Sequence, residues 1–130
     1  MPENLARILQ GCFHPKKGRP NLQKVPVSSE RAQQHIDKAH SNLRAMKMMF
    51  DGDLFDWTII CGYYAMYHAV LAALYKIGIR ATAHYCALAA FKEFYVKRRE
   101  IRARNREIRG HNTNLLNLSV GRPGLINTSS

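Results

Sequence analysis

Acidic residues are scarce in this chain: nine Asp and Glu stand against twenty Lys and Arg, a formal charge of +11 over 130 residues. A field of that sign draws polyanions, nucleic acid first and anionic membrane second. Cysteine is scarce too. The three cysteines stand singly at Cys12, Cys61 and Cys86, with no CxxC pair and no regular spacing, which argues against a disulfide framework. Cys61 and Cys86 fall inside apolar helical patterns, where a free thiol behaves as a small hydrophobe. Glu3 comes early, and no apolar run of signal-peptide length precedes the basic stretch from Lys16, so a cytoplasmic location is expected. No phosphate loop, nucleophile elbow or paired-carboxylate site is present. Cys12 and His14 have no partners, and His35 and His40 are five apart, which does not aim both at one metal. Neither a metal nor a cofactor is expected.

What remains is apolar and helical. Hydrophobic residues make up 46% of a length that forms one domain with one core. Residues 1–27 read as a basic N-terminal arm: Asn4 to Gln10 offers one or two helical turns, and Gly11 to Pro26 mixes Gly, Pro and Lys into a flexible segment. Residues 28–120 read as a helical domain, and residues 121–130 as a disordered tail. The first long helix is expected over Ser29–Phe50, with Ser28 or Ser29 as N-cap and Glu30 favoured by the helix dipole. Ala32, Ile36, Ala39, Leu43, Met46 and Phe50 form its apolar stripe. Asp51-Gly52-Asp53 is a turn that ends this helix and caps the next.

Trp57 to Tyr75 is nineteen residues without a formal charge, long enough for a membrane span. Tyr63, Tyr64, Tyr67 and His68 sit at its middle, where a bilayer centre penalises polar groups, and interfacial anchors would lie at the ends instead. No membrane partner is therefore expected. On a helical wheel Thr58, Gly62, Ala65, Ala69, Ala72 and Ala73 form a small stripe, and Trp57, Ile60, Tyr64, Tyr67, Leu71 and Leu74 a bulky one. A helix apolar all round is buried all round, so this one is central, or shared with a second subunit. Gly78 stops it and Thr82 caps a third helix whose stripe is His84, Leu88, Phe91 and Tyr95. From Lys97 to Arg109 there are seven basic and two acidic residues. Gly110 interrupts this stretch, and Leu115 to Val120 makes a short last helix.

The run Asp56-Trp57-Thr58-Ile59-Ile60-Cys61-Gly62-Tyr63-Tyr64-Ala65-Met66-Tyr67-His68-Ala69 resembles the signature of HEPN domains. That family has an Ala-rich second helix containing Tyr-Tyr-Ala-Met-Tyr/Phe-His, then a Gly turn and a helix beginning near His, as Gly78 and His84-Tyr85 do here. The resemblance covers about residues 31–96. It implies an all-α, up-and-down bundle of four to five helices, commonly a homodimer. It also implies RNA as a partner, and often a minimal nucleotidyltransferase encoded alongside as the antitoxin of a toxin–antitoxin pair. Many members are metal-independent ribonucleases carrying Arg, four to six residues, then His. Others lack that motif and bind RNA or a protein partner.

Two arrangements end at His111: Arg104 with six residues between, and Arg106 with four. Arg104, Ile108 and His111 share one face of a continuing helix, which favours Arg104, and Asn105 matches the polar residue the family often places there. The chemistry suits both residue types. Histidine titrates near neutrality and can take a proton from a ribose 2′-hydroxyl, and a guanidinium can hold the phosphate and its developing charge. Arg98, Arg99, Arg102, Arg106 and Arg109 are the expected RNA-binding side chains, and Tyr64 and His68 the candidates for the edge of a cleft. A buried, hydrogen-bonded His68 is the plainer reading of that residue. The function the resemblance implies is the toxin or RNA-processing component of a nucleotidyltransferase/HEPN toxin–antitoxin pair, with metal-independent endoribonuclease activity as its candidate chemistry; the alternative is a non-catalytic RNA- or protein-binding helical module partnering a minimal nucleotidyltransferase.

Overall fold

Helix lengths decide most of the architecture. The computed structural model describes the backbone of residues 4–120 and the side chains of residues 4–110. Two long helices, α2 (Ser29–Asp51) and α3 (Phe55–Tyr75), are flanked by two short ones, α1 (Leu5–Phe13) and α4 (His84–Phe91). A π-helical segment, Lys92–Lys97, and α5 (Arg98–Val120) follow. Strands β1 (Leu22–Lys24) and β2 (Ile79–Ala81) pair antiparallel with Gln23 opposite Arg80. The all-α expectation holds, with this small sheet added. The chain divides into two compact units, residues 1–94 and residues 95–130.

In the first unit, α2 and α3 form an antiparallel hairpin. Ser28 Oγ accepts from the Arg31 amide at 3.1 Å and starts α2 as expected. The turn differs from the expectation in its details. Asp53, not Gly52, takes the left-handed conformation (φ 61°); the N-cap of α3 is Leu54 and has no side-chain bond. Phe50 and Phe55 meet edge-on across the turn at 5.7 Å. The small stripe of α3 lets α2 approach: a Cβ on Gly62 would lie 3.1 Å from Met46 Sδ, and Ala72 packs with Ala32. The α2 face that packs is Ala32, His35, Ile36, Ala39, Asn42, Met46 and Met49, whereas Leu43 and Phe50 are exposed.

The main core lies at one end of α3. Leu71 and Leu74 cluster there with Cys12, Leu22, Ile79, Cys86, Ala87 and Ala90, and Ile8, Leu9 and Phe13 pack against them. The described part of the N-terminal segment, from residue 4, is thus part of the fold, and Cys12 and Leu22 in the core replace the flexible segment expected over Gly11 to Pro26. Ile8, Leu9, Cys12 and Phe13 make one apolar face of α1, and the Gly- and Pro-rich stretch conceals a three-residue strand. The Asn21 amide donates to Cys12 O, Thr82 N to Asn21 O and Val25 N to Gly78 O, so the segment is tied to α1, to the residue after β2 and to the turn that ends α3. A disulfide joins Cys12 to Cys86. This also overturns a sequence expectation, because spacing does not reveal that α1 folds back onto α4.

The central helix is not buried all round. Ala65, Leu71, Ala72, Leu74 and Tyr75 are buried, but Trp57 is 57%, Ile59 71% and Met66 66% exposed. The reason is length. An eight- or nine-residue helix spans about 12–14 Å and a 21-residue helix about 32 Å, so α1 and α4 cover only the C-terminal part of α3. By length and mean hydropathy (1.3) α3 could cross a bilayer, with 22% of that window buried within the chain.

Other expectations shift similarly. Gly78 does end the α3 turn, at φ +77°. Thr82 does not cap α4; Ala83 occupies that place, and Thr82 Oγ1 donates to Asn21 Oδ1. The buried face of α4 is Cys86, Ala87, Ala89 and Ala90, while His84 and Leu88 are exposed. In the second unit Gly110 does not interrupt the chain: α5 runs through it from Arg98 to Val120. The expected tail, residues 121–130, lies outside the described residues, as do the side chains of residues 111–120.

Candidate functional site

Helix α5 carries the expected catalytic and RNA-binding residues. Six arginines, Arg98, Arg99, Arg102, Arg104, Arg106 and Arg109, are exposed, as is Asn105. Because the helix is continuous, their positions around it follow from 100° per residue. Arg98, Arg102, Arg106, Arg109 and Arg99 fall within about a third of the circumference. Arg104 and His111 fall together on the other side, about 20° apart around the axis and about 10 Å along it, near Ile101 and Ile108. Arg106 is about 140° from His111, so an unbroken α5 pairs His111 with Arg104. The His111 side chain itself lies outside the described residues.

The first unit holds two ring clusters that sequence reasoning did not assemble. His35 of α2 and His68 of α3 approach with their Nδ1 atoms 3.0 Å apart, and the His35 ring lies near-parallel to the rings of His68 and Tyr75, centred 5.2 and 5.5 Å away. Arg31 Cζ stands 5.9 Å from the centre of the Tyr75 ring. Burial, then His68, Lys38 and Arg31, lower the His35 pKa; burial, then Lys38, lower that of His68. These shifts favour the neutral imidazoles, in which one Nδ1–H donates to the other Nδ1. His68 is half-buried and hydrogen-bonded, but to a histidine 33 residues away. The signal in the sequence is His35 lying between Ala32 and Ala39 on the packing face of α2.

The second cluster joins α3 to α4. Tyr63 Oη and His84 Nδ1 are 2.7 Å apart, and the Tyr67 and His84 rings are centred 4.0 Å apart. Tyr64 meets His84 edge-on at 6.1 Å and is itself 40% exposed. Burial, followed by Tyr63 and Tyr64, raises the Tyr67 pKa. Tyr64 and His68, expected to edge one cleft, therefore attach to different neighbours: Tyr64 to His84 and His68 to His35. Among the described residues, no group of three or more His, Cys, Asp or Glu is placed to hold a metal ion.

An antiparallel long-helix pair with a Tyr-Tyr-Ala-Met-Tyr-His centre and a basic C-terminal helix defines an all-α domain of a recognisable class. The family model for the HEPN domain matches residues 32–119, and the chain belongs to that family. The match continues past Val96 through α5, so the Arg-rich helix lies within the family's domain. No curated protein and no solved structure matches the chain.

Proposed function

We propose that this HEPN protein acts on RNA as a metal-independent endoribonuclease, the toxin or RNA-processing half of a pair with a minimal nucleotidyltransferase in the cytoplasm. The observation that carries the reading is the unbroken α5, which sets Arg104 and His111 on one helical face inside the family match. His111 takes the proton from a ribose 2′-hydroxyl, and that oxygen attacks the adjacent phosphorus. The 5′-oxygen leaves as the bridging bond breaks and takes up a proton, giving a 2′,3′-cyclic phosphate end. Arg104 holds the phosphoryl oxygens as charge develops on them, and Asn105, about 100° round the helix from Arg104, supplies an accessory polar group. Arg98, Arg99, Arg102, Arg106 and Arg109, on the other side of α5, hold the RNA backbone.

The uncovered half of α3 supports a homodimer. Leu54, Phe55, Trp57, Ile59, Ile60 and Met66 are each exposed by 43–71%, and a second copy would bury them. The deciding experiment incubates the full chain with RNA in EDTA. Cleavage leaving cyclic phosphate ends is expected, and a loss of about a hundredfold or more in Arg104→Ala and in His111→Ala. Undiminished cleavage in both variants removes this pair from the mechanism. RNA binding without any product moves the assignment to the non-catalytic module.

A further inference from the structure

A second basic feature lies in the first unit. Val25, Pro26, Val27, Ser28, Arg31 and Arg80 line an open cleft of about 420 Å³, within the size range of small-molecule sites. Three elements build it. The chain leaving β1 supplies the apolar wall Val25-Pro26-Val27; the first turn of α2 supplies Arg31; the middle of β2 supplies Arg80. The frame is fixed. Val25 N donates to Gly78 O at 2.8 Å, and Ser28 N to Tyr75 O at 3.2 Å, so the wall is tied to the end of α3.

The cleft is electrostatically one-sided. Arg31 and Arg80 are among its lining residues and no acidic residue is. Glu30 is next to Arg31 in sequence, but a residue one position along a helix points about 100° away, and it is not part of the lining. The ion pair of Lys47 with Asp51 lies at the far end of α2. Tyr75 offers a ring face beneath Arg31, 5.9 Å from its Cζ, which steadies that guanidinium.

We infer that this cleft binds a phosphate monoester carried on a small molecule or a chain end. Two planar guanidinium forks match the phosphoryl oxygens. A monoester carries close to two negative charges at neutral pH, balancing two arginines, whereas a diester carries one. The Val25-Pro26-Val27 wall then faces the apolar part of the ligand. This site shares no residue with Arg104 and His111, and it stands or falls independently of the ribonuclease reading.

The test is calorimetric titration of the full chain at low ionic strength with inorganic phosphate, adenosine monophosphate, and a short oligonucleotide bearing either a 5′-phosphate or a 5′-hydroxyl. Saturable binding of the monoesters is expected, with the 5′-phosphorylated oligonucleotide binding tighter than its 5′-hydroxyl counterpart if the source is an RNA end. If the source is a free nucleotide, adenosine monophosphate is the tightest ligand. Arg31→Gln and Arg80→Gln each weaken binding about tenfold or more. Arg44→Gln, which removes the same charge from an exposed site elsewhere on α2, leaves it unchanged. Arg80→Gln stands apart from the Tyr75 contact, so its effect cannot come from loss of that packing. No saturable monoester binding, or equal affinity in Arg31→Gln, Arg80→Gln and Arg44→Gln, overturns the proposal.

Discussion

The Nδ1 atoms of His35 and His68 lie 3.0 Å apart and bind α2 to α3 through two neutral imidazoles. Protonating both rings would put a hydrogen on each Nδ1 and break the contact. Both pKa values are lowered from 6.5, chiefly by burial. The unfolded chain therefore takes up more protons than the folded one in the window just below 6.5. The stability this pair contributes is present above 6.5 and is lost as the pH falls toward the folded-state values. Chemical denaturation between pH 8 and pH 5 is expected to show that loss, and His68→Asn to flatten it. An unchanged pH profile in the variant places the acid sensitivity elsewhere.

Cys12 and Cys86 are 74 residues apart in sequence, and their bond ties α1 to α4. A loop of that length gives a stabilisation on the order of 4 kcal/mol in the chain-entropy view, as an upper figure. Reductant is therefore expected to lower the midpoint of unfolding in the wild type and to do nothing to Cys12→Ser. Disulfides are rare in a reducing cytosol. Alkylation of protein quenched directly from cells distinguishes the two states: one reactive thiol, Cys61, when the bond is closed, and three when it is open.

Two glycines respond oppositely to the same substitution. Gly78 sits at φ +77°, and a Cβ there would lie 2.6 Å from Val25 O, a backbone atom that moves only if β1 moves. Gly78→Ala is expected to cost about 2 kcal/mol or more. Gly11 lies inside α1, and a Cβ added there would meet nothing within 4 Å, so Gly11→Ala is expected to stabilise by up to about 1 kcal/mol. Paired urea melts read both changes; equal effects would mean that β1 is not held against Gly78.

The span of α2 is legible to within one residue because its ends carry local signals: a Ser N-cap at one end and a Gly-containing turn at the other. The run through Tyr63 and His68 carries the family. What escapes is set by interactions between distant segments. Nothing local marks Leu22–Lys24 as a strand, because its partner Ile79–Ala81 comes more than fifty residues later. The stripe drawn through Leu43 and Phe50 runs off-centre, which hides His35 and separates it from His68. The apolar character of α3 implies complete burial, yet hydropathy does not reveal that α1 and α4 are too short to cover it. In α5 the sequence pairs Arg104 with His111 but also suggests a break at Gly110. Glycine costs a helix interior only about 1 kcal/mol, too little to stop a 23-residue helix.

That unbroken helix separates two expectations which a kinked one would merge. Five arginines lie on one side of α5, and Arg104 with His111 on the other. If the first group holds the RNA backbone, Arg98→Gln, Arg102→Gln and Arg109→Gln combined should reduce the salt dependence of RNA binding. The slope of log K against log salt falls by about 0.7 for each single-strand phosphate no longer neutralised, about 2 in all. Cleavage at saturating RNA should persist in that variant, since no reacting group has been removed. Arg104→Ala and His111→Ala should behave the other way, losing turnover while keeping most of the salt slope. Parallel filter-binding and single-turnover assays distinguish the two. If the triple variant and both single variants lose binding and turnover together, the two sides of α5 do not act separately, and the division of labour proposed for them fails.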